Sequence, residues 1–196
     1  MSRITLSDVI RKSCLVKRFS GEEIRGHRMS IAEHHYEVSM LVMSYIDELA
    51  ARGVLLPTCI EINAIRYALV HDIPEIFTSD IPTPIKYSDP EFKHLLTKLE
   101  QHIVDAMMPE WIATQFDHGQ STIISILVKY ADITALIREI HDEHIRQNHF
   151  TSFDFIDTMV SRLREKYIKQ GVDKMTVVVF NECENIINDL KVEFGI

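Results

Sequence analysis

The stretch ALVHDIPEIFTSDIPTPIKY, residues 68–87, decides how this chain is read. Its opening residues close an apolar period. Ala64, Ile65, Ala68 and Leu69 recur at three- and four-residue spacing, which predicts a helix over 59–73 with His71 and Asp72 in its last turn. Asp72 then stands above Ala68, its i−4 neighbour. Pro74 interrupts the helix, because proline has no backbone N–H to continue the ladder. Glu75 therefore starts a new turn near the His-Asp pair. The rest, residues 77–87, carries Pro82 and Pro84 amid mixed polarity and reads as a stiff loop beside the helix end.

Working outward, the helical period recurs over 31–52, 90–108, 122–147, 153–170 and 174–191, with a short helix near 5–14. Start signals support it. Ser30-Ile31-Ala32-Glu33 and Thr58-Cys59-Ile60-Glu61 have the spacing of a capping box. Pro90 after Asp89 suits a first helical position, and Ser121 and Thr122 suit a cap. The run Val177-Val178-Val179-Phe180 has strand composition, but Cys183, Ile186, Ile187 and Leu190 continue the helical period. There is no repeat, no low-complexity segment and no linker. The expectation is an all-α protein, six or seven helices forming one domain over 1–196.

Composition agrees. With 196 residues, 46% apolar and 26% charged, the chain can bury a sizeable core. Gly and Pro number only six each, against a turn-rich β fold. The charge balance, 21 − 29, is −8, which disfavours nucleic acid polymers as partners. Cys14, Cys59 and Cys183 are odd in number and form no CxxC pair, as expected of free thiols in a reducing compartment. The first twenty residues are broken by Asp8 and several cations, so no signal peptide is read. The apolar stretch VSMLVMSYI, residues 38–46, is far short of the roughly 20 residues of a membrane span. A cytoplasmic protein with no membrane partner is expected.

Polar residues on apolar faces locate the chemistry. His34 sits in the first turn of its helix above Val38, Leu41 and Val42. Asp132 sits mid-helix on a stripe of Ile124, Val128, Ala135 and Leu136. A carboxylate there is costly unless paired or bound to a metal. Singly, each has a plainer reading. An inward His is usually a hydrogen-bonded core residue, and an inward Asp often meets a buried Arg. A second pair, His141-Asp142 in REIHDEHIRQNH, reads as a solvated helix face. Together, His34, His71, Asp72 and Asp132 bring two imidazoles and two carboxylates inward from three helices, a divalent-metal pattern. Mixed N/O donors suit Mn, Fe, Co, Ni or Zn rather than Ca. Four protein ligands leave positions open for water and a phosphate oxygen, which marks a catalytic site.

The order His34 … His71-Asp72 … Asp132 resembles the H…HD…D pattern of HD-domain metal-dependent phosphohydrolases. AEHHYEVSMLV (residues 32–42), the 68–87 stretch and VKYADITALI (residues 128–137) resemble segments of the bacterial HD-domain 5′-deoxynucleotidases. The resemblance covers about 15–140. It implies a helical bundle around one divalent ion (Mn, Co, Zn, Ni, Fe or Mg) held by His34, His71, Asp72 and Asp132. It also implies catalytic roles for Asp72 and for Glu75, which orients water or handles a proton. Substrate-binding roles fall to Asp80 at the sugar end, to Lys86 and Arg18 near phosphate, and to Phe19. Phe19 stands where these enzymes usually carry Trp. Taken alone, Glu75 is also a favourable charge at a helix start, and Lys86 and Arg18 are also solvated cations.

The expected activity is metal-dependent hydrolysis of a deoxynucleoside 5′-monophosphate to deoxynucleoside and phosphate. Phosphomonoester hydrolysis is among the slowest uncatalysed reactions, and a divalent ion lowers the pKa of bound water from about 15.7 to roughly 7–9. The alternative is a triphosphohydrolase of the kind phages use on dATP. Extra cations would favour it, with Lys12, Lys17, Arg25 and Arg28 as candidates. Guanosine tetraphosphate hydrolysis ranks low, because Ile76 replaces the acid that usually follows the Glu there. A non-catalytic nucleotide-binding HD protein is the distant alternative. The C-terminal helix is apolar enough for a homo-oligomer interface, although an ordinary core helix explains it as well.

Overall fold

The helix Thr122–Ile145 is the centre of the molecule, with thirteen of its 24 residues buried. A computed structural model describes residues 3–19, 22–86, 88–147, 154–168 and 172–195. Among them there are ten helical segments: α1 (Leu6–Leu15), α2 (Ile31–Ala51), α3 (Thr58–Ala68), α4 (Glu75–Thr78), α5 (Thr83–Lys86), α6 (Pro90–Met107), α7 (Glu110–Gly119), α8 (Thr122–Ile145), α9 (Asp154–Ile168) and α10 (Lys174–Phe194). No strand occurs among the described residues beyond one isolated antiparallel bridge, Lys17 with Ser30. Each of the seven expected segments is helical. The count rises because Glu110–Gly119 is a separate helix and because the 75–86 stretch holds two one-turn helices. Residues 87, 153, 169 and 170 of the expected segments lie outside the described residues.

Two packed clusters result. In the larger, α8 packs against α2, α3 and α10 through Val42, Tyr45, Ala64, Leu127, Tyr130, Val179 and Ile187. The smaller gathers Val9, Ile31, Val70, Ile73, Ile76, Ile103, Met108 and Ile112. Val179, Phe180, Cys183 and Ile187 of α10 face inward, so that helix serves the core, while Val177 and Val178 remain exposed.

Local chemistry fixes the ends that matter. The Ser30 capping box forms: the Ser30 hydroxyl accepts from the Glu33 N–H, and the Ser30 N–H donates to the Glu33 carboxylate at 2.6 Å. The box expected at Thr58 does not form, because Pro57 takes the cap position and offers only its carbonyl. Ser121 stands at the cap of α8 without a side-chain bond. The larger correction concerns α3, which ends at Ala68 rather than at 73. Pro74 cannot donate to Val70 and would clash with its carbonyl. The chain instead tightens into three-residue turns, with Val70 N–H bonded to the Tyr67 carbonyl, Ile73 N–H to Val70 and Glu75 N–H to Asp72. His71 and Asp72 therefore leave the Ala64/Ala68 stripe and project from a turn between the two clusters.

Candidate metal centre

His34 is fully buried in the first turn of α2, fixed there by the capping box at Ser30. Across from it lie His71 and Asp72 from the turn after α3 and Asp132 from the middle of α8. The distances are 3.2 Å from His34 Nε2 to Asp132 Oδ1, 3.5 Å from His34 Nε2 to Asp72 Oδ2, and 3.4 Å from His71 Nε2 to Asp72 Oδ2. One donor atom from each of the four residues lies within 4.8 Å of all the others. Donors about 2.1 Å from one ion stand roughly 3.0 Å apart at a right angle and about 3.4 Å apart at the tetrahedral angle. The three distances from 3.2 to 3.5 Å are close to that geometry.

The nitrogens are prepared for it. His71 Nδ1 lies 2.8 Å from the Ala68 carbonyl, which can only accept, so the proton is on Nδ1 and the Nε2 lone pair faces the cluster. His71 Nε2 and His34 Nε2 are buried without a hydrogen-bond partner. Burial holds His71 below its usual pKa, as a neutral ligand. Burial and Arg18 push His34 down, but the carboxylates of Asp132 and Asp72 outweigh them and hold it above its usual value. A proton and a divalent cation compete for that lone pair, so metal binding releases a proton. Asp72 and Asp132 are held well below the carboxylate range despite burial, Asp72 by His71 and His34 and Asp132 by Lys129 and His34. The donor set fits a borderline divalent ion.

Around the cluster stand the other expected residues. Glu75 is buried at the start of α4, and Lys86 of α5 donates to its Oε1 at 2.5 Å, leaving Oε2 unpartnered. Burial and the Asp72 charge push Glu75 up to about 8, against the pull of Lys86. A carboxyl group titrating there can give or take a proton near neutral pH. Arg18 is buried with its Nη1 3.7 Å from Asp72 and its Nη2 3.5 Å from Glu139. The segment that carries it is pinned at its neck by Arg18 N–H to the Met29 carbonyl and by Ile31 N–H to the Val16 carbonyl. Phe19 has a φ of 52°, which a bulky residue adopts only when held. Asp80 holds it, accepting from the Phe19 N–H at 2.6 Å. Asp80 thus anchors Phe19 beside the site.

These residues line a cavity of about 610 Å³ with Asp72, Glu75 and Asp132 in one wall, within the usual range for small-molecule sites. Arg18 and Lys86 are both in its wall, whereas the extra cations weighed for a triphosphate, Lys12, Lys17, Arg25 and Arg28, are not. Lys17 and Arg28 line a separate cavity of about 820 Å³ with Phe19 at their common border. Arg25 bonds the carbonyls of Arg146 and Gln147, and Lys12 lies over the Phe77 ring. The metal-side cavity instead takes Lys93, Lys129, Arg162 and Lys166. His141 stacks on Phe194 and Asp142 is exposed, so the second His-Asp pair stays outside the site.

Three contributors escaped the sequence. His35, buried behind His34, accepts the Asp72 N–H on Nε2 at 3.2 Å and orients that turn. Glu139 braces Arg18. It lies seven residues after Asp132 on the same face of α8, and the rule that singled out Asp132, an acid on an apolar stripe, finds it too. Glu143, buried one turn further on, accepts the N–H groups of Arg25 and Gly26 at 2.8 and 2.6 Å and ties down the loop before α2.

The sequence model of the family described as 5′-deoxynucleotidase YfbR-like matches residues 6–182. Curated relatives include a 5′-deoxynucleotidase of Erwinia tasmaniensis, 30% identical over 113 residues that make up 53% of this chain and 55% of the relative. One from Yersinia pestis is 34% identical over 116 residues, with the same two shares, 53% and 55%. One from Vibrio parahaemolyticus is 28% identical over 130 residues, 61% of this chain and 65% of the relative. The chain thus spans under two thirds of the length of these relatives. Among solved structures, the HD phosphohydrolase DatZ of cyanophage S-2L, bound to dA and one catalytic Zn²⁺ ion, has a TM-score of 0.63 at 23% identity, covering 95% of this chain and 99% of its own. An HD-domain phosphohydrolase of Listeria innocua has a TM-score of 0.68 at 20% identity, covering 98% and 90%. Both share the fold. No helix among the described residues is long and apolar enough to cross a membrane.

Proposed function

The chain belongs to the YfbR-like 5′-deoxynucleotidase family, and from that premise we propose that it hydrolyses deoxynucleoside 5′-monophosphates to deoxynucleoside and phosphate. The observation that carries this reading is the convergence of four donor atoms, within 4.8 Å of one another, on the wall of a cavity that also presents Arg18 and Lys86. His34, His71, Asp72 and Asp132 hold one divalent ion, and availability decides which among Mn, Co, Zn, Ni, Fe and Mg. A divalent ion bound there would supply Lewis acidity, lowering the pKa of a water and offsetting the charge of phosphate oxygens.

The chain's own groups do the rest. Arg18, braced by Glu139, and Lys86 offset charge on the phosphate. Glu75 handles the proton through Oε2, the oxygen that Lys86 leaves uncovered. Phe19, held by Asp80, offers its ring to the sugar. The apolar side of the cavity, with Ile133, Leu136 and Met159, takes the base. The chain acts as one domain over 1–196, since α8 packs on helices from both ends of the sequence. Association into a homo-oligomer through the exposed Val177 and Val178 of α10 belongs to the same reading.

The test is chromatography of products after incubation with Mn or Co and a panel of deoxy- and ribonucleotides. Deoxynucleoside plus single phosphate from the monophosphates is the expected result, and Glu75→Gln loses it while keeping the metal. Inertness toward the whole panel with metal bound, or activity that survives exhaustive chelation, contradicts the reading.

A further inference from the structure

The end of α3 exchanges one helical hydrogen bond for two made by histidines. In a continued helix the Asp72 N–H would go to the Ala68 carbonyl, four residues back. Here the Ala68 carbonyl accepts from His71 Nδ1 at 2.8 Å. The Asp72 N–H is donated instead to His35 Nε2, at 3.2 Å. A backbone N–H only donates, so this nitrogen of His35 offers a lone pair and the ring proton is on Nδ1. Both side chains are buried, with ring centroids 5.2 Å apart. The buried face of α2 is wide enough to present two successive histidines, His34 to the cluster and His35 to the turn behind it.

Resting on the metal-centre reading above, we propose that His35 is a positioning residue for that centre: it draws the Asp72 N–H away from the Ala68 carbonyl and so keeps His71 in the tautomer that can bind an ion. The Ala68 carbonyl is where the two effects meet. While it accepts from His71 Nδ1, the proton stays on that nitrogen and the Nε2 lone pair faces Asp72 Oδ2 at 3.4 Å. Without an acceptor at position 35 the Asp72 N–H loses its partner, and an unpaired donor inside a protein is costly. The carbonyl four residues back is the helical alternative, and it is the one His71 uses. Competition there frees the His71 proton to move to Nε2, and a protonated Nε2 has no lone pair for a metal. His35 is not one of the four donors. It acts on two of them, on Asp72 through its backbone and on His71 through its tautomer.

Two readouts test this, neither using a nucleotide. Imidazole nitrogen NMR on the metal-free protein reads the tautomer of His71, whose signal is the one that His71→Ala loses. Competition with a chelator for Zn reads the affinity. The wild type holds the His71 proton on Nδ1. His35→Leu is close in volume and has no acceptor: the Nε2–H tautomer of His71 appears, and Zn binding weakens about 10–100-fold, as when a partner behind a ligand is lost. His35→Gln places an amide oxygen where Nε2 stood and restores both. His35→Asn carries its oxygen too close to the backbone to reach Asp72 and behaves as His35→Leu, so the Asn and Gln variants decide the matter if the Leu variant does not fold. Lost packing alone lowers Tm in all three without moving the tautomer. An unchanged His71 tautomer or unchanged Zn affinity in folded His35→Leu or His35→Asn, or a Gln variant no better than the Asn one, overturns the proposal. A wild type that takes up no Zn refutes the metal-centre reading itself, whereas unmoved variants of a Zn-binding wild type refute only the role of His35.

Discussion

Gly119, at the end of α7, touches no ligand, yet Gly119→Ala perturbs the metal centre. A Cβ at this position would lie 2.4 Å from Tyr67 Cζ, 2.5 Å from Cε2 and 2.7 Å from Cε1. Carbon pairs settle at about 3.5–4.0 Å, so the contact is short by roughly 1 Å or more. The helix end is buried and cannot simply retreat. The Tyr67 ring lies edge-on to both His71, with centroids 6.4 Å apart, and Phe116, at 5.7 Å. Any shift of the ring disturbs the packing that aims His71 Nε2. Overpacking of this kind costs about 1–3 kcal/mol. For a chain of this size that lowers Tm by roughly 2–12 °C. Disturbing a residue behind a ligand weakens metal binding about 10–100-fold. Thermal unfolding and metal titration of the variant measure the two effects. In a Tyr67→Leu background the ring is absent and the same substitution costs less, so the two changes are coupled. Unchanged Tm and metal affinity in Gly119→Ala refute the reasoning.

Other outcomes follow from single contacts. Glu139→Ala removes one of two ion-pair partners of the buried Arg18 guanidinium; a charge-assisted bond is worth about 1.5–3 kcal/mol, so KM rises roughly tenfold or more while one ion per chain is retained, and Glu139→Gln recovers part. Ser30→Ala costs about 1 kcal/mol by uncapping α2 below His34, measured by urea unfolding. Glu33 is lowered from 4.5 to about 2 by its bonds to Ser30, from the backbone N–H and then the hydroxyl. As a depressed acid it stabilises the fold fully above pH 4.5, and that contribution is lost as pH falls toward 2. Glu33→Gln flattens this part of the stability profile, whereas an unaltered acid limb in the variant contradicts the assignment.

Much of this molecule was legible because its chemistry violates local rules. Asp132 on an apolar stripe, and His34 above Val38 and Val42, are errors in a core unless something pays their desolvation. Helix starts were readable where a side chain makes the cap, as at Ser30 and Asp89, and misread where a proline carbonyl does, as at Thr58. The end of α3 was misplaced because periodicity does not register that Pro74 acts four residues back, on the Val70 carbonyl. The further cations of the cavity were not legible, for a different reason. Lys93 of α6 and Lys129 of α8 are distant in sequence and come together only as walls of one folded cavity, whereas Lys17 and Arg28 are near Arg18 in sequence and line the cavity on the other side of Phe19. Sequence proximity carries no information about which side of a wall a side chain faces.

The central claim is that one divalent ion is held by His34, His71, Asp72 and Asp132. Elemental analysis after loading with Co and desalting tests it directly, on the wild type and on Asp132→Ala and His71→Ala variants whose circular dichroism shows intact helix. The account predicts one ion per chain in the wild type and none in either variant. A full complement of metal in His71→Ala or Asp132→Ala contradicts it.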